Sequence, residues 1–269
     1  MKPKKSLGQN FLTDKKIAES IALSGDISKK DIVLEVGPGK GILTEFLIKY
    51  AKKVIAVEKD RELFLFLSEK FAGEIKDGKL ILISGDILNF DFTPYKIKEG
   101  NYKLVANIPY NLTGLLFRLF LETGPRPKTI IFMIQKEVAE RIIARPPARS
   151  TRVGDKKESV LSLSVKTYGT PKIVRRVSAG SFFPKPSVDS AVLAIENIKS
   201  PFKNKKGEGK FFEILKAGFS SKRKKISSNL TRVAKKEDIS KAFTKLKLDT
   251  NIRAEDLSPE TFLLLAKEL

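Results

Sequence analysis

Four consecutive residues, Asn107-Ile108-Pro109-Tyr110, set an amide and an aromatic ring side by side just after the apolar run Lys103-Leu104-Val105-Ala106. An asparagine can hydrogen-bond the exocyclic amine of a base while a tyrosine stacks on its face, as an enzyme acting on an extruded adenine requires. Upstream lies a glycine-rich stretch, Glu35-Val36-Gly37-Pro38-Gly39-Lys40-Gly41. Glycines there let the backbone turn tightly and approach a ligand closely, which suits a nucleoside cofactor. The spacing is not the dinucleotide fingerprint, because the third glycine falls one position early and Ile42 stands in its place. A pyrophosphate is therefore not expected at the helix that follows. Methylation of a base is the chemistry these two stretches suggest together.

Two carboxylates extend the pattern. Glu58 closes the run Val54-Ile55-Ala56-Val57, about 20 residues past the glycines, where an acid can accept from both hydroxyls of a ribose. Asp86, in Ser84-Gly85-Asp86-Ile87, closes the next run and could accept from the amino group of a cofactor adenine. Taken singly, Glu58 reads as a surface acid beside Lys59 and Asp86 as a turn or capping residue. Polar groups at four successive strand ends are a stronger signal than any one of them.

Placing these groups on one edge requires a parallel sheet. Short apolar runs, Ile32-Val36, Val54-Glu58, Leu80-Gly85, Lys103-Ala106 and Thr129-Ile134, alternate with helical spacings. Leu43, Phe46, Leu47 and Tyr50 form one such spacing, and Leu63, Phe64, Leu67 and Phe71 another. Strands alternating with helices predict a doubly wound, mostly parallel sheet, and open sheets of this kind bind ligands at the carboxyl ends of their strands. Three further runs, Val160-Lys166, Ile173-Val177 and Ala191-Glu196, read as strands added antiparallel at the edge.

A lysine-rich break at Lys199-Gly207 separates this α/β region from a tail with helical spacings only: Phe211, Phe212, Leu215 and Phe219, then Ile239 and Phe243, then Phe262 to Leu265. The expected division is residues 1–198 for an α/β domain and 199–269 for a small helical one. Near the chain start, Gln9-Asn10-Phe11-Leu12 precedes a predicted amphipathic helix with Thr13 as a plausible cap. Phe182-Phe183-Pro184-Lys185-Pro186 reads as a rigid loop, as compatible with packing as with ligand contact.

The residue census excludes several chemistries. The 269 residues include no His and no Cys, which removes metal sites built on those ligands, serine–histidine triads and cysteine nucleophiles. No metal is expected. Methylation of a ring carbon through a covalent cysteine adduct is closed, whereas an amine acceptor needs no such nucleophile. The absence of Cys also agrees with a cytoplasmic home, and no signal peptide or membrane span is legible. The 52 Lys and Arg against 31 Asp and Glu leave a net charge of +21, for which a polyanion is the natural partner. Lys222-Arg223-Lys224-Lys225, just after Phe219-Ser220-Ser221, is the densest cationic run and a candidate RNA contact.

In this order the motifs closely resemble the ribosomal RNA adenine dimethyltransferases, in particular the bacterial small-subunit type. The resemblance spans Gly8 to Leu12, Glu35 to Gly41, Glu58, Gly85-Asp86, Asn107 to Tyr110 and Gln135 to Arg141. It continues through Phe182 with Pro184, Pro186, Val188, Asp189 and Ser190, then Phe219 to Leu230 and Arg253 to Ser258. It implies a Rossmann-like domain binding S-adenosylmethionine, and dimethylation of two adjacent adenines in a 3′-terminal hairpin of 16S rRNA; nothing in the sequence suggests more than a monomer. By motif match Gln9, Asn10, Leu12, Gly37, Gly39, Glu58, Asp86 and Asn107 would line the cofactor site, and Tyr110 and Phe182 would sandwich the target base beside Asn107.

One stretch departs from the pattern. Arg145 to Lys157 differs from the family's usual loop and carries a net +4, from Arg145, Arg149, Arg152, Lys156 and Lys157 against Asp155. Arg149 and Arg152 are the expected RNA contacts there, on a mobile loop. Alternative readings are the related 23S rRNA methyltransferase of macrolide resistance and a non-catalytic factor in small-subunit assembly. A DNA adenine methyltransferase shares only the Asn-to-Tyr motif and would usually carry a larger recognition domain.

Overall fold

The computed structural model describes residues 3–4, 7–144 and 157–269. Arg149 and Arg152 lie outside the described residues, as does nearly all of the loop expected to carry them. The chain divides into two compact units, residues 1–139 with 169–198, and residues 140–168 with 199–269. The break at residue 199 coincides with the lysine-rich linker, but the segment 140–168, assigned from sequence to the α/β domain, belongs to the second unit.

In the first unit, strands and helices alternate as β1 (Phe11–Leu12), α1 (Lys15–Ser24), β2 (Ile32–Val36), α2 (Ile42–Tyr50), β3 (Lys53–Glu58), α3 (Arg61–Lys70), α4 (Ala72–Lys76), β4 (Leu80–Ser84), β5 (Tyr102–Asn107), α5 (Thr113–Arg118) and β6 (Thr129–Gln135). Helix α6 (Lys136–Ile143) runs across the division between the units. After α7 (Val160–Tyr168) in the second unit, β7 (Thr170–Val177), β8 (Phe182–Phe183) and β9 (Ser190–Glu196) return to the first. Seven strands form one sheet in the order β4-β3-β2-β5-β6-β9-β7. The first five are mutually parallel; β9 pairs antiparallel with β6, and β7 antiparallel with β9, so only β9 runs against the rest.

The central strands are rich in Val, Ile and Leu because helices cover both faces of a parallel sheet. Val33, Leu34, Leu104, Val105, Ile131 and Met133 are fully buried. The chain lays down β2, β3 and β4 toward one side of the sheet, then crosses back to place β5 and β6 on the other. The order therefore switches between β2 and β5, and such a switch opens a crevice at the carboxyl ends of the strands. The glycine stretch follows β2 and the Asn107 segment ends β5, so both flank that crevice.

Two local readings from sequence are corrected. The helix near the start is capped by Asp14 rather than Thr13: the Asp14 carboxylate accepts from the Lys16 and Ile17 amides at 2.8 and 3.2 Å. Thr13 instead donates its amide to the Ser181 carbonyl at 2.9 Å, next to the small ribbon that β1 forms with β8. Val160 to Lys166, expected as a strand, lies in helix α7. Its apolar–polar alternation mimics a strand, but Ser162, Leu163, Ser164 and Val165 are all buried, so the helix packs on several faces and periodicity loses its meaning. The cap gave a better signal: Ser159 Oγ accepts the Ser162 amide at 3.1 Å, and Ser162 Oγ accepts the Ser159 amide at 2.7 Å.

The second unit is helical, with α6 completed by α7, α8 (Lys205–Gly218), α9 (Ile226–Leu230), α10 (Lys236–Lys245) and α11 (Pro259–Glu268). Phe211, Ile214, Leu215, Ile226, Leu230, Phe262 and Leu265 form its buried interior. Among the described residues no helix is long and apolar enough to cross a membrane.

Candidate active site

A cavity of about 190 Å³ opens at the switch between β2 and β5. Gln9, Asn10, Leu12, Gly37, Gly39, Glu58, Asp86, Asn107, Tyr110 and Phe182 all line it, so the expected cofactor and base-holding residues share one cavity. The sheet register explains the gathering. Val36 pairs with Val57, Glu35 with Val105 and Glu58 with Ser84, which brings the ends of four strands level. The β1–β8 ribbon, pairing Leu12 with Phe182 and Phe11 with Phe183, adds Phe11, Leu12 and Phe182 to the lining.

Two glycines of the turn leave no room for a side chain, whereas a Cβ at Gly37 would meet nothing within 4 Å. Gly41 begins α2 at φ +76°, and a Cβ there would lie 2.6 Å from the Phe71 ring. Gly39, at φ +59°, would place a Cβ 3.2 Å from the Phe11 ring. The Gly39 amide is spent on Glu58, whose Oε2 accepts it at 3.1 Å while Oε1 accepts the Asp60 amide at 2.8 Å. Burial raises the Glu58 carboxyl above the ordinary range, and these backbone bonds pull it part of the way back.

Glu35 is the carboxyl of the cavity lining that burial perturbs most. It is 1% exposed, and its Oε2 has no hydrogen-bond partner. Burial pushes its pKa up to about 8; the Thr44 hydroxyl opposes this and the charge of Glu58 adds to it. The Thr44 hydroxyl itself makes no well-formed bond. An unpartnered carboxyl oxygen at Glu35, a second carboxyl at Glu58 and a glycine backbone between them together fit a polar nucleoside ligand.

Asp86 is held ionised, first by Lys59, whose Nζ lies 2.8 Å from Oδ2, while Oδ1 accepts the Leu88 amide at 3.0 Å. It is thus both the capping residue and a wall of the cavity, the two readings its sequence context allowed. Gln9 turns inward to anchor the chain start. Its Nε2 donates to Asp60 Oδ2 at 3.0 Å and its Oε1 accepts the Lys4 amide at 2.8 Å. Lys4 Nζ also reaches Asp60 Oδ1 at 3.0 Å. Burial would raise the Asp60 carboxyl, but the bonds from Lys4, Gln9 and two backbone amides hold it low. Asp60 and Lys4 were missed from sequence; the signal was the Asp60-Arg61-Glu62 start of α3, where Asp60 accepts the Glu62 amide at 3.0 Å.

Asn107 Nδ2 donates to the Asn10 carbonyl at 3.3 Å, and no described residue donates to its Oδ1. The Tyr110 hydroxyl lies 2.8 Å from Ser190 Oγ on β9. Ser190 is fully buried, so this bond ties the tyrosine ring to the sheet. Burial is the main cause that raises the Tyr110 phenol. Phe182 is 4% exposed. Ser190 carried no separate signal beyond its place in the Phe182-to-Ser190 motif.

In the second unit, Lys222 to Lys225 occupy an exposed turn between α8 and α9. Buried Asn229 pins that turn, donating to the Gly218 and Ser221 carbonyls at 2.6 and 2.9 Å.

A doubly wound sheet, a tight glycine turn after β2, a carboxylate at the end of β3 and an amide with a ring after β5 define a Rossmann-like, S-adenosylmethionine-dependent methyltransferase. The family model for ribosomal RNA adenine dimethylase matches residues 1–269. The chain is 37% identical over 260 residues to ribosomal RNA small subunit methyltransferase A of Clostridium botulinum, covering 96% of this chain and 90% of that protein. It is 37% identical over 269 residues to the protein of that name from Dehalococcoides mccartyi, covering 98% and 88%. Among solved structures it is similar to a dimethyladenosine transferase from Plasmodium falciparum, with a TM-score of 0.73, 27% identity and 95% of each chain covered. The 23S rRNA methyltransferase ErmE aligns with a TM-score of 0.72 at 25% identity, covering 97% of this chain and 99% of that one. The chain belongs to the ribosomal RNA adenine dimethylase family.

Proposed function

We propose that this protein transfers methyl groups from S-adenosylmethionine to the exocyclic amines of two adjacent adenines in a 3′-terminal hairpin of 16S rRNA. It would act as a cytoplasmic monomer on the small ribosomal subunit or its precursor. The observation that carries this reading is the orientation of Asn107: its Nδ2 is committed to the Asn10 carbonyl, so Oδ1 is left to accept from a substrate amine.

The cofactor's sulfonium supplies a methyl group that is already activated. The chain therefore has to align the acceptor nitrogen and exclude water, which is where positioning contributes most. An adenine amine is a poor nucleophile because its lone pair is delocalised into the ring. Bonds from that amine to Asn107 Oδ1 and the Ile108 carbonyl favour a more pyramidal nitrogen with the pair available. Tyr110, tethered through Ser190, and Phe182 would hold the base between them. Loss of the proton can follow transfer, so a chain without histidine is not at a disadvantage.

Gln9, Asn10, Leu12, Gly37, Gly39, Glu58 and Asp86 would hold the cofactor, with Glu58 facing the ribose hydroxyls and Asp86 the adenine amine. Lys222, Arg223, Lys224 and Lys225 would meet RNA phosphates, as would Arg149 and Arg152. The small-subunit reading is favoured over the 23S one by the higher identity to the small-subunit relatives. Asn107→Ala tests the assignment: methyl transfer should fall by more than about 100-fold with RNA binding intact, because one of the few groups touching the reacting amine is gone. A variant retaining full transfer would remove Asn107 from the chemistry.

A further inference from the structure

Phe182 and Phe183 are neighbours in the chain but part company in the fold. Phe182 lines the cavity, whereas Phe183 is 61% exposed. A lone exposed phenylalanine needs no explanation in itself; the position of this one does. In the β1–β8 ribbon Phe183 stands directly opposite Phe11, and side chains so paired share a face. Phe11 lines the cavity and Phe183 does not, so Phe183 stands one cross-strand neighbour away from the lining. Lys40 Nζ lies 5.1 Å from the centre of the Phe11 ring, and both Lys40 and Lys185 are exposed. The ribbon is anchored beside Phe182, where the Thr13 amide and hydroxyl both donate to the Ser181 carbonyl. An open aromatic face held in place beside exposed cations is how proteins bind single-stranded nucleic acid: bases stack on the ring and cations meet the phosphates.

We propose that Phe183 stacks on the nucleotide adjoining the target adenine, with Lys40 meeting the phosphate that joins the two. This rests on the methylation of adjacent adenines proposed above. A protein that treats two neighbouring adenines in turn must hold the chain in two registers, with a different neighbour outside the cavity each time. A stacking surface serves both, because every base presents a π-face and no hydrogen-bond pattern is read. Phe182 inside and Phe183 outside would then grip two consecutive nucleotides from two consecutive residues.

The test uses the full chain with Phe183→Ala and Phe183→Trp. Loss of one base–aromatic stack should lower kcat/KM on under-methylated small subunits by about 5- to 150-fold. Phe183→Trp should restore it, and S-adenosylmethionine affinity should be the same in all three proteins. A hairpin RNA carrying 2-aminopurine next to the target adenine should be quenched on binding the wild type and the Trp variant but not the Ala variant. An Ala variant within twofold of wild type, a Trp variant as impaired as Ala, or quenching independent of Phe183 would each overturn the proposal. If the wild type left the subunits unmethylated, the proposed function would fall, while Phe183-dependent quenching would still uphold the platform.

Discussion

Replacing Glu35 by glutamine should make the protein more tolerant of alkaline pH. Glu35 is 1% exposed with an unpartnered oxygen, and its pKa stands at about 8 against 4.5 for a free glutamate side chain. Because the folded-state value is the higher one, the native protein retains a proton that the unfolded chain releases. Stability is therefore greatest below the unfolded value and declines by about 1.4 kcal/mol per pH unit until the folded value is reached. Between pH 5 and 8 this amounts to about 3.5 kcal/mol for the wild type, and the glutamine variant has no such dependence at this position. Titrating groups that do not interact with Glu35 contribute equally to both proteins and cancel in the difference, Glu58 being the coupled exception. Urea unfolding of both proteins at four pH values in this range would give the difference curve directly. The variant should gain on the wild type by that amount as pH rises, whatever constant offset the amide introduces. A difference constant to within about 1 kcal/mol would refute the claim that Glu35 is buried and protonated in the free protein.

The network at the chain start offers a second prediction. Asp60→Ala frees Lys4 and Gln9 together and should weaken S-adenosylmethionine binding roughly 10-fold by calorimetry, while loss of the α3 cap lowers stability by about 1 kcal/mol in urea unfolding. Gly41→Ala forces a side chain into the Phe71 ring at a left-handed backbone position, and should cost about 1–3 kcal/mol in urea unfolding. Substituting alanine for Lys222, Arg223, Lys224 and Lys225 should weaken RNA binding and flatten its salt dependence, by up to about 0.7–0.9 in slope for each phosphate left without its cation. A filter-binding series from low to moderate salt measures this, and an unchanged slope would place RNA elsewhere.

The parallel sheet and the four polar strand ends were legible because both follow from local rules. Buried strands are short apolar runs, and a doubly wound order puts their carboxyl ends on one edge. Glu58, Asp86 and Asn107 could be placed on that edge from the sequence for this reason. What stayed hidden depends on partners far away in the chain. Two residues, Phe11 and Leu12, form a strand only because Phe182 and Phe183 pair with them. The Lys4–Asp60–Gln9 network and the Tyr110–Ser190 tether join segments about 50 to 80 residues apart. Glu35 was visible as part of a motif, yet its raised pKa arises from burial. Helix α7 was misread because its alternating Val, Leu and Ser residues fit a strand as well as a helix buried on several sides. The Ser159–Ser162 cap was the local feature that could have separated the two.

The central claim, adenine dimethylation on the small subunit, is tested most directly by mapping labelled methyl groups. The full-length protein would be incubated with labelled S-adenosylmethionine, under-methylated small subunits, intact large subunits and duplex DNA. Two dimethylated adjacent adenines near the 3′ end of 16S rRNA are the predicted result. Label on 23S rRNA or DNA, or small-subunit binding without any label, would contradict it.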